Sequence, residues 1–393
     1  MPNGDNFESK PLLLLIAGAK GTVASTVAVA LAAMRENPQT VLPSLTTRNS
    51  FPYLGPAQAI HMVGWDVQSE KLTSCIKKYG VLPEILWKPH RKDLDNIAIF
   101  DAPPADFDLK GQIRHLMQDF QDFREQYPDA LPVLINLLPA CAQVDVEKYT
   151  SLGQLYSDVD SADFPDLAYA LAAVLAGIPV ANLTPNYLEV PAVVQEAIKR
   201  NVPLSGSDAK TGQTYLKVVL ASALKARNFH VDGWYSLNIL GNTDGKNLMD
   251  PNRAAGKLTN KTDLLDDILG YPVGQRYGEP SHKVRIDYYP PRGDAKEAWD
   301  VIDFQGLFGL SMSIRLNFLA RDSILAAPLI LDLARWMAVL KMAGRSGPIA
   351  ELGFYFKKPL GENPPLSFQD QIISLEELEA ECDKIISRVW NGS

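Results

Sequence analysis

The chain has 393 residues, 46% hydrophobic and 21% charged, a balance that suits a folded protein of more than one structural unit and not a disordered one. A formal net charge of -8 speaks against nucleic acid as the main partner. Cys75, Cys141 and Cys382 are scattered and none of the five histidines has a metal-ligand spacing, so the expectation is no metal, no disulfide framework and a cytoplasmic setting.

The apolar run Leu12 to Ala17 is far too short for a membrane span, and the leader Met1 to Ser9 is acidic, unlike a signal peptide, so no membrane partner is expected. Gly18-Ala-Lys-Gly-Thr-Val-Ala24 follows, then an alanine- and valine-rich stretch that reads as a helix. Strand, glycine turn and helix is the order a dinucleotide-binding unit needs, because the turn admits a pyrophosphate and the helix amino terminus stabilises its charge. Gly18, Lys20, Gly21, Thr22 and Val23 are the candidate cofactor loop. Lys20 and Ala24 stand where glycine is usual, so a generic strand-to-helix turn fits equally, with Lys20 either meeting a phosphate or pointing into water.

His61 to Val67 is a second apolar segment, and its Asp66 suits the acid that pairs with ribose hydroxyls, or else caps a helix over Ser69 to Tyr79. Leu131 to Leu138 is a further strand containing Asn136 and followed by Pro139. Ala168 to Gly177 reads as a helix leading to Ile178-Pro-Val-Ala-Asn-Leu-Thr-Pro-Asn186, and Val190 to Asn201 as another. Asn136 and Asn182 then lie at the carboxyl edge of a sheet, where open α/β sheets bind ligands, although Asn and Pro also favour plain turns.

After the apolar Val202-Pro-Leu204 comes Gly206-Ser-Asp-Ala-Lys-Thr-Gly-Gln-Thr214, where Lys210 stands among small residues with Asp208 two positions away. Such a lysine is a candidate chemical centre. Tyr235 to Leu240 alternates like a strand and runs into a polar loop, read as a sugar or phosphate contact or as a solvated hairpin. Lys257 and Lys261 are four residues apart, on one face if helical, and form either a phosphate site or a solvated basic face. Val284 to Tyr289 and Ser311 to Phe318 alternate, Pro290 to Ala298 carries an acid and a base two residues apart, Asp294 and Lys296, and Asp322 starts a helix through Lys341. Lys357 and Lys358 follow an aromatic strand at Gly353-Phe-Tyr-Phe356. Lysines recurring at loop starts point to an anionic substrate.

Taken together these segments resemble the myo-inositol-1-phosphate synthase family. Gly206 to Thr214 is similar to its Gly-x-Asp-x-Lys-Ser-Gly-Gln-Thr, and Leu240-Gly-Asn-Thr-Asp-Gly-Lys-Asn-Leu248 to its Leu-Gly-Asn-Asn-Asp-Gly-x-Asn-Leu. Gly64-Trp-Asp-Val67 resembles its Gly-Trp-Asp-Ile, and Asn182 to Asn186 its Asn-Gly-Ser-Pro-Gln-Asn. Gly256 to Asp267 is similar to its Ser-Lys-x-x-Ser-Lys, Gly293-Asp-Ala-Lys296 to Gly-Asp-Ser-Lys, Arg321 to Ala326 to Glu-Asp-Ser-Leu-Leu-Ala, and Phe356-Lys-Lys-Pro-Leu360 to Leu-Lys-Ala-Pro-Leu. The glycine turn is poorer than the family's, and Thr243 replaces an asparagine.

The resemblance implies an α/β fold: a Rossmann-type NAD-binding domain over 10–204, an inserted α+β catalytic and oligomerisation domain over 205–325, and a segment over 326–393 that returns to the first. It implies a homotetramer and the redox-neutral, NAD-dependent cyclisation of glucose 6-phosphate to an inositol phosphate. It casts Lys210, Lys257, Lys261 and Lys357 as catalytic cations oriented by Asp208 and Asp294. Asn242, Asp244, Lys296 and Asp322 would bind substrate, while Gly18 to Val23, Asp66, Asn136 and Asn182 would hold NAD. A cyclase for another phosphorylated sugar, a plain NAD-dependent dehydrogenase and an NAD-binding regulator are the competing readings.

Overall fold

In the computed structural model the described residues are 9–141, 145, 147–160, 164–241, 245–246, 249 and 264–391. Asn242, Asp244, Lys257 and Lys261 lie outside them. Eleven strands occur among the described residues: β1 Leu12–Ala17, β2 His61–Asp66, β3 Ile99–Asp101, β4 Leu131–Asn136, β5 Val180–Asn182, β6 Pro203–Ser205, β7 His230–Leu240, β8 His282–Tyr288, β9 Ala295–Gln305, β10 Ser311–Arg321 and β11 Gly347–Pro348.

β1 is wholly apolar because it is a central parallel strand, paired with β2 on one side and β4 on the other and covered on both faces. The first sheet runs β11-β6-β5-β4-β1-β2-β3, and every pairing is parallel. Leu12, Leu14 and Ile16 face a core shared with the helices Thr22–Glu36 and Asp322–Met342. Leu13, Leu15 and Ala17 face one shared with Leu109–Gln126 and Asp166–Leu175. The chain runs outward from β1 through β2 to β3, then crosses to β4 on the other side of β1. That reversal opens a crevice at the carboxyl ends of β1 and β4.

The second sheet runs β10-β9-β7-β8. β7 and β8 pair in parallel, so the connection between them is a crossover and not a hairpin. One face of this sheet shares a core with the helix Gly212–Ala226, through Val218, Ala221 and Leu224 against Val231, Trp234 and Ile302. Exposed Tyr235, Trp299 and Leu319 lie on the opposite side, in step with the two-residue alternation of their strands.

The helix Asp322–Met342 starts where β10 ends and packs its length against the first sheet, carrying the chain back to add β11 beside β6. It is long and apolar enough to cross a membrane, yet it is a core helix. Asp332 is buried on it and accepts from the N–H and hydroxyl groups of Thr46 and Thr47. The expected strand at 353–356 is instead a 3-10 turn over Ala350–Phe354. Backbone groups of 355–360 pair with 206–210 and not with a sheet, which frees the preceding residues to turn.

Candidate active site

The expected cofactor end lies where β1 stops. Gly18 has φ +85, and a Cβ there would lie 3.0 Å from the Leu137 carbonyl oxygen, so any other residue is strained twice over. The N–H groups of Gly18 and Ala19 both donate to Trp65 O at 2.9 Å, which fixes the turn against the end of β2. The helix Thr22–Glu36 begins at Gly21 without a side-chain cap, leaving its first N–H groups open to an anion. Asp66 Oδ2 accepts from the Lys20 N–H at 2.7 Å and Oδ1 from the Gln68 N–H at 2.9 Å. Each oxygen keeps a lone pair for a ribose hydroxyl. Glycine turn, uncapped helix start and a carboxylate at the end of β2 form a donor and acceptor set that fits a dinucleotide.

The polar side chains expected at this end have partners within the chain. Lys20 is 8% exposed and its ammonium donates to Gln68 O, so it does not simply point into water. Asp66 caps no helix, since the helix Leu72–Tyr79 begins after Lys71 with no side-chain cap. Asn136 and Asn182 are 0% and 1% exposed and their amides are used internally. Asn136 Nδ2 donates to Asp166 Oδ2 at 2.6 Å and to Asn182 Oδ1 at 3.1 Å, while Asn182 Nδ2 donates to Asn186 O at 2.6 Å. They shape the loops after β4 and β5 from beneath. Asp166, the hub of this network, is fully buried, and burial pushes its carboxyl up. Nothing in the sequence marks it, because it looks like an ordinary acid at the start of an alanine-rich helix.

The lysine cluster lies where the end of β6 meets the second sheet. Asp208 has φ +60, and its N–H donates to Thr184 O at 2.9 Å. Its Oδ1 accepts from Lys357 Nζ at 2.7 Å, both side chains being nearly buried, and its Oδ2 is buried without a partner. Lys296 Nζ donates to Asp322 Oδ2 at 3.2 Å, and Thr211 Oγ1 to Asp322 Oδ1 at 3.1 Å. Burial works against the charge of Asp322, but Lys296 and Lys357 together with the hydrogen bonds from Lys296 and Thr211 hold its carboxyl below the usual range. Ser323 Oγ donates to Asp294 Oδ1 at 3.3 Å. Thr211 directly precedes the helix Gly212–Ala226, whose amino terminus has no side-chain cap.

Lys357, Lys296, Asp208, Asp322 and Asp294 are therefore gathered around one junction. Lys210 is not gathered with them. Its Nζ donates to Gly353 O at 2.9 Å and to Gln371 Oε1 at 2.7 Å, and the residue is 3% exposed. Burial lowers its pKa to about 7, with no carboxylate offsetting the effect. The sequence does not single out Thr211, Ser323 or the start of Gly212–Ala226 as site elements, although Thr211 and Gly212 lie inside the lysine motif.

Residues 212–323 match the family model described as myo-inositol-1-phosphate synthase. The chain is 33% identical to inositol-3-phosphate synthase 1 of Bacteroides thetaiotaomicron, over 88% of this chain and 89% of that one. It is 31% identical to inositol-3-phosphate synthase isozyme 1 of Arabidopsis thaliana, over 73% of this chain and 60% of the plant protein. In fold it is similar to inositol-3-phosphate synthase of Caenorhabditis elegans, with a TM-score of 0.81 at 21% identity over 95% of this chain and 86% of that one. A myo-inositol-1-phosphate synthase-related protein from Thermotoga maritima gives 0.76 at 22% identity over 98% and 99%. With the bacterial relative aligned over nearly its whole length, and with the parallel sheet and lysine junction in place, the chain belongs to the myo-inositol-1-phosphate synthase family.

Proposed function

We propose that the protein is an enzyme that converts D-glucose 6-phosphate to 1L-myo-inositol 1-phosphate with NAD and without net oxidation. The observation that carries this reading is the junction of two cations on carboxylates, Lys357 on Asp208 and Lys296 on Asp322, beside an uncapped helix amino terminus. When bound, NAD supplies a place for the hydride to go and a source for its return. Gly18, Gly21 and the first turn of Thr22–Glu36, including Val23, receive its pyrophosphate, and Asp66 its adenosine ribose.

Cyclisation through a ketone requires an enolate, and a preorganised cation beside the developing oxyanion is the usual means of stabilising one. Lys357 Nζ is that group in this reading, oriented by Asp208: as the amine it takes the proton from the carbon beside the ketone, and as the ammonium so formed it faces the enolate oxygen and later returns the proton. The buried, unpartnered Asp208 Oδ2 is an acceptor for a sugar hydroxyl. Lys296, Thr211 and the start of Gly212–Ala226 hold the phosphate, with Asp322 setting Lys296 and Thr211 in place. Lys257 and Lys261 add positive charge at the ring-closing carbonyl, and Asn242 and Asp244 contact sugar or cofactor; Asp294, bonded to Ser323, shapes the same wall. Asn136 and Asn182 support the nicotinamide end by position only.

Assembly into a homotetramer through the second sheet is part of the same reading. The exposed side chains Tyr235, Trp299 and Leu319, with Leu307, Phe308 and Leu310 at the β9–β10 tip, are the apolar surface that such an assembly buries. A cytoplasmic, metal-free enzyme is the accompanying expectation.

The test is to incubate the purified protein with glucose 6-phosphate and NAD while following inositol phosphate and reduced cofactor together. Catalytic inositol phosphate without net reduction is the expected result. Stoichiometric reduced cofactor would make it a dehydrogenase, and bound NAD without turnover would point to another phosphorylated sugar or to a regulator.

A further inference from the structure

The segment 206–210 is joined along its length to 355–360. The Ser207 N–H donates to Lys358 O at 2.6 Å, the Lys357 N–H to Asp208 O at 2.8 Å, the Lys210 N–H to Tyr355 O at 2.8 Å and the Leu360 N–H to Gly206 O at 2.9 Å. Lys357 rides on this short ladder, so the position of its ammonium depends on how firmly the ladder is held. Beyond the last rung the Lys210 side chain continues to Gly353 O at 2.9 Å and Gln371 Oε1 at 2.7 Å. Gln371 is 2% exposed and donates onward through Nε2 to Pro365 O and Leu366 O, both at 3.2 Å. One amine thus joins three pieces of chain: the loop after β6, the turn before Lys357 and the first turn of the helix Phe368–Asn391. Aromatic rings pack around it: the Phe354 ring lies edge-on against Tyr355 at 5.1 Å and Tyr215 at 6.4 Å, and the Tyr215 ring likewise against Phe368 at 5.9 Å.

We propose that Lys210 is a positioning residue that clamps the turn at Gly353 and the start of the last helix to the Asp208 loop, so that Lys357 is set against its carboxylate. The role rests on reading Lys357 as the catalytic cation. It explains why Lys210 has only neutral acceptors: a clamp needs two directed donors, whereas a lysine acting on substrate needs an open path that this one lacks. The device ties the carboxyl-terminal helix to the site, so an event that displaces the helix disarms Lys357 without touching cofactor or substrate.

The test compares Lys210→Met and Gln371→Leu, singly and together, in the full-length protein. A displacement of about 1 Å at a reacting group costs on the order of 10²-fold in rate, so each single variant should lose turnover of glucose 6-phosphate by about that factor. The loss should fall on kcat with NAD affinity unchanged by calorimetry, and the double variant should be no slower than the worse single one. Amide exchange over 353–360 should quicken in every variant. Wild-type turnover in Gln371→Leu beside an inactive Lys210→Met would overturn the proposal and place Lys210 on the substrate; unchanged exchange at 353–360 in both single variants would also overturn it. If Lys210→Met fails to fold, Gln371→Leu, which keeps the lysine, decides by the same readings. The exchange measurement needs no substrate, so it decides the clamp even if the wild-type protein proves inactive on glucose 6-phosphate and the functional reading fails.

Discussion

Replacing Lys357 by Met tests the lysine junction most directly. The substitution keeps the length of the side chain and removes only its charge. Asp208 then keeps a nearly buried carboxylate that has lost its 2.7 Å partner and whose second oxygen already has none. Removing one member of a buried ion pair typically destabilises by about 3–5 kcal/mol, because the remaining charge is left without compensation. Losing the group that moves a proton costs about 10²–10⁴ in rate. Denaturant unfolding should therefore show a loss of a few kcal/mol, and turnover of glucose 6-phosphate should fall at least a hundredfold. Adding Asp208→Asn separates the two effects: Lys357→Met with Asp208→Asn has no orphaned charge, so much of the stability should return while turnover stays lost. Recovery of turnover along with stability would refute the reasoning, since Lys357 would then serve the fold alone.

Three further outcomes follow from the geometry. Gly18→Ala should weaken NAD binding in calorimetry and lower stability by about 1–2 kcal/mol, the cost of a left-handed backbone at a residue with a Cβ, increased by the 3.0 Å approach to Leu137 O. Asp322 has a folded pKa below its ordinary 3.8, so its stabilising effect is complete above about pH 4 and is lost as pH falls through the depressed value; Asp322→Asn and wild-type urea midpoints should differ at pH 7 and converge in stronger acid. Lys217 is buried beside His282 Nε2 at 2.7 Å, and burial lowers its pKa to about 8, with Asp300 partly offsetting the effect. The unfolded chain binds the extra proton between about pH 8 and 10, so wild-type stability should rise with pH across that window. Lys217→Met should flatten this rise in pH-dependent guanidinium unfolding; a variant with an identical slope would contradict the burial argument.

Much of the cofactor end was legible because its causes are local. A central parallel strand must be apolar on both faces, which makes Leu12 to Ala17 recognisable, and a left-handed turn hard against another backbone demands glycine at 18. Lys20, Asn136 and Asn182 were less legible because their partners are distant: Gln68 lies 48 residues from Lys20, and Asp166 lies 30 from Asn136. Lysine and asparagine look alike in sequence whether they face a ligand or a buried acceptor.

The motif around Lys210 shows both sides of this. Its residues alone pick out 206–214 as a chemical segment, and its ordered companions indicate the family. Which ammonium serves the site is another matter. In an extended strand Asp208 and Lys210 would point the same way, but φ +60 at Asp208 breaks that alternation, and the two side chains part company. Asp208 turns to Lys357, 149 residues on, and Lys210 to Gln371, 161 residues on. Local composition pointed to a lysine chemistry and to the segment of chain that would support it. Only the return of the chain to the first sheet from Asp322 onward decided that Lys357 has the Asp208 carboxylate beside it, because that contact exists in space and has no counterpart along the chain.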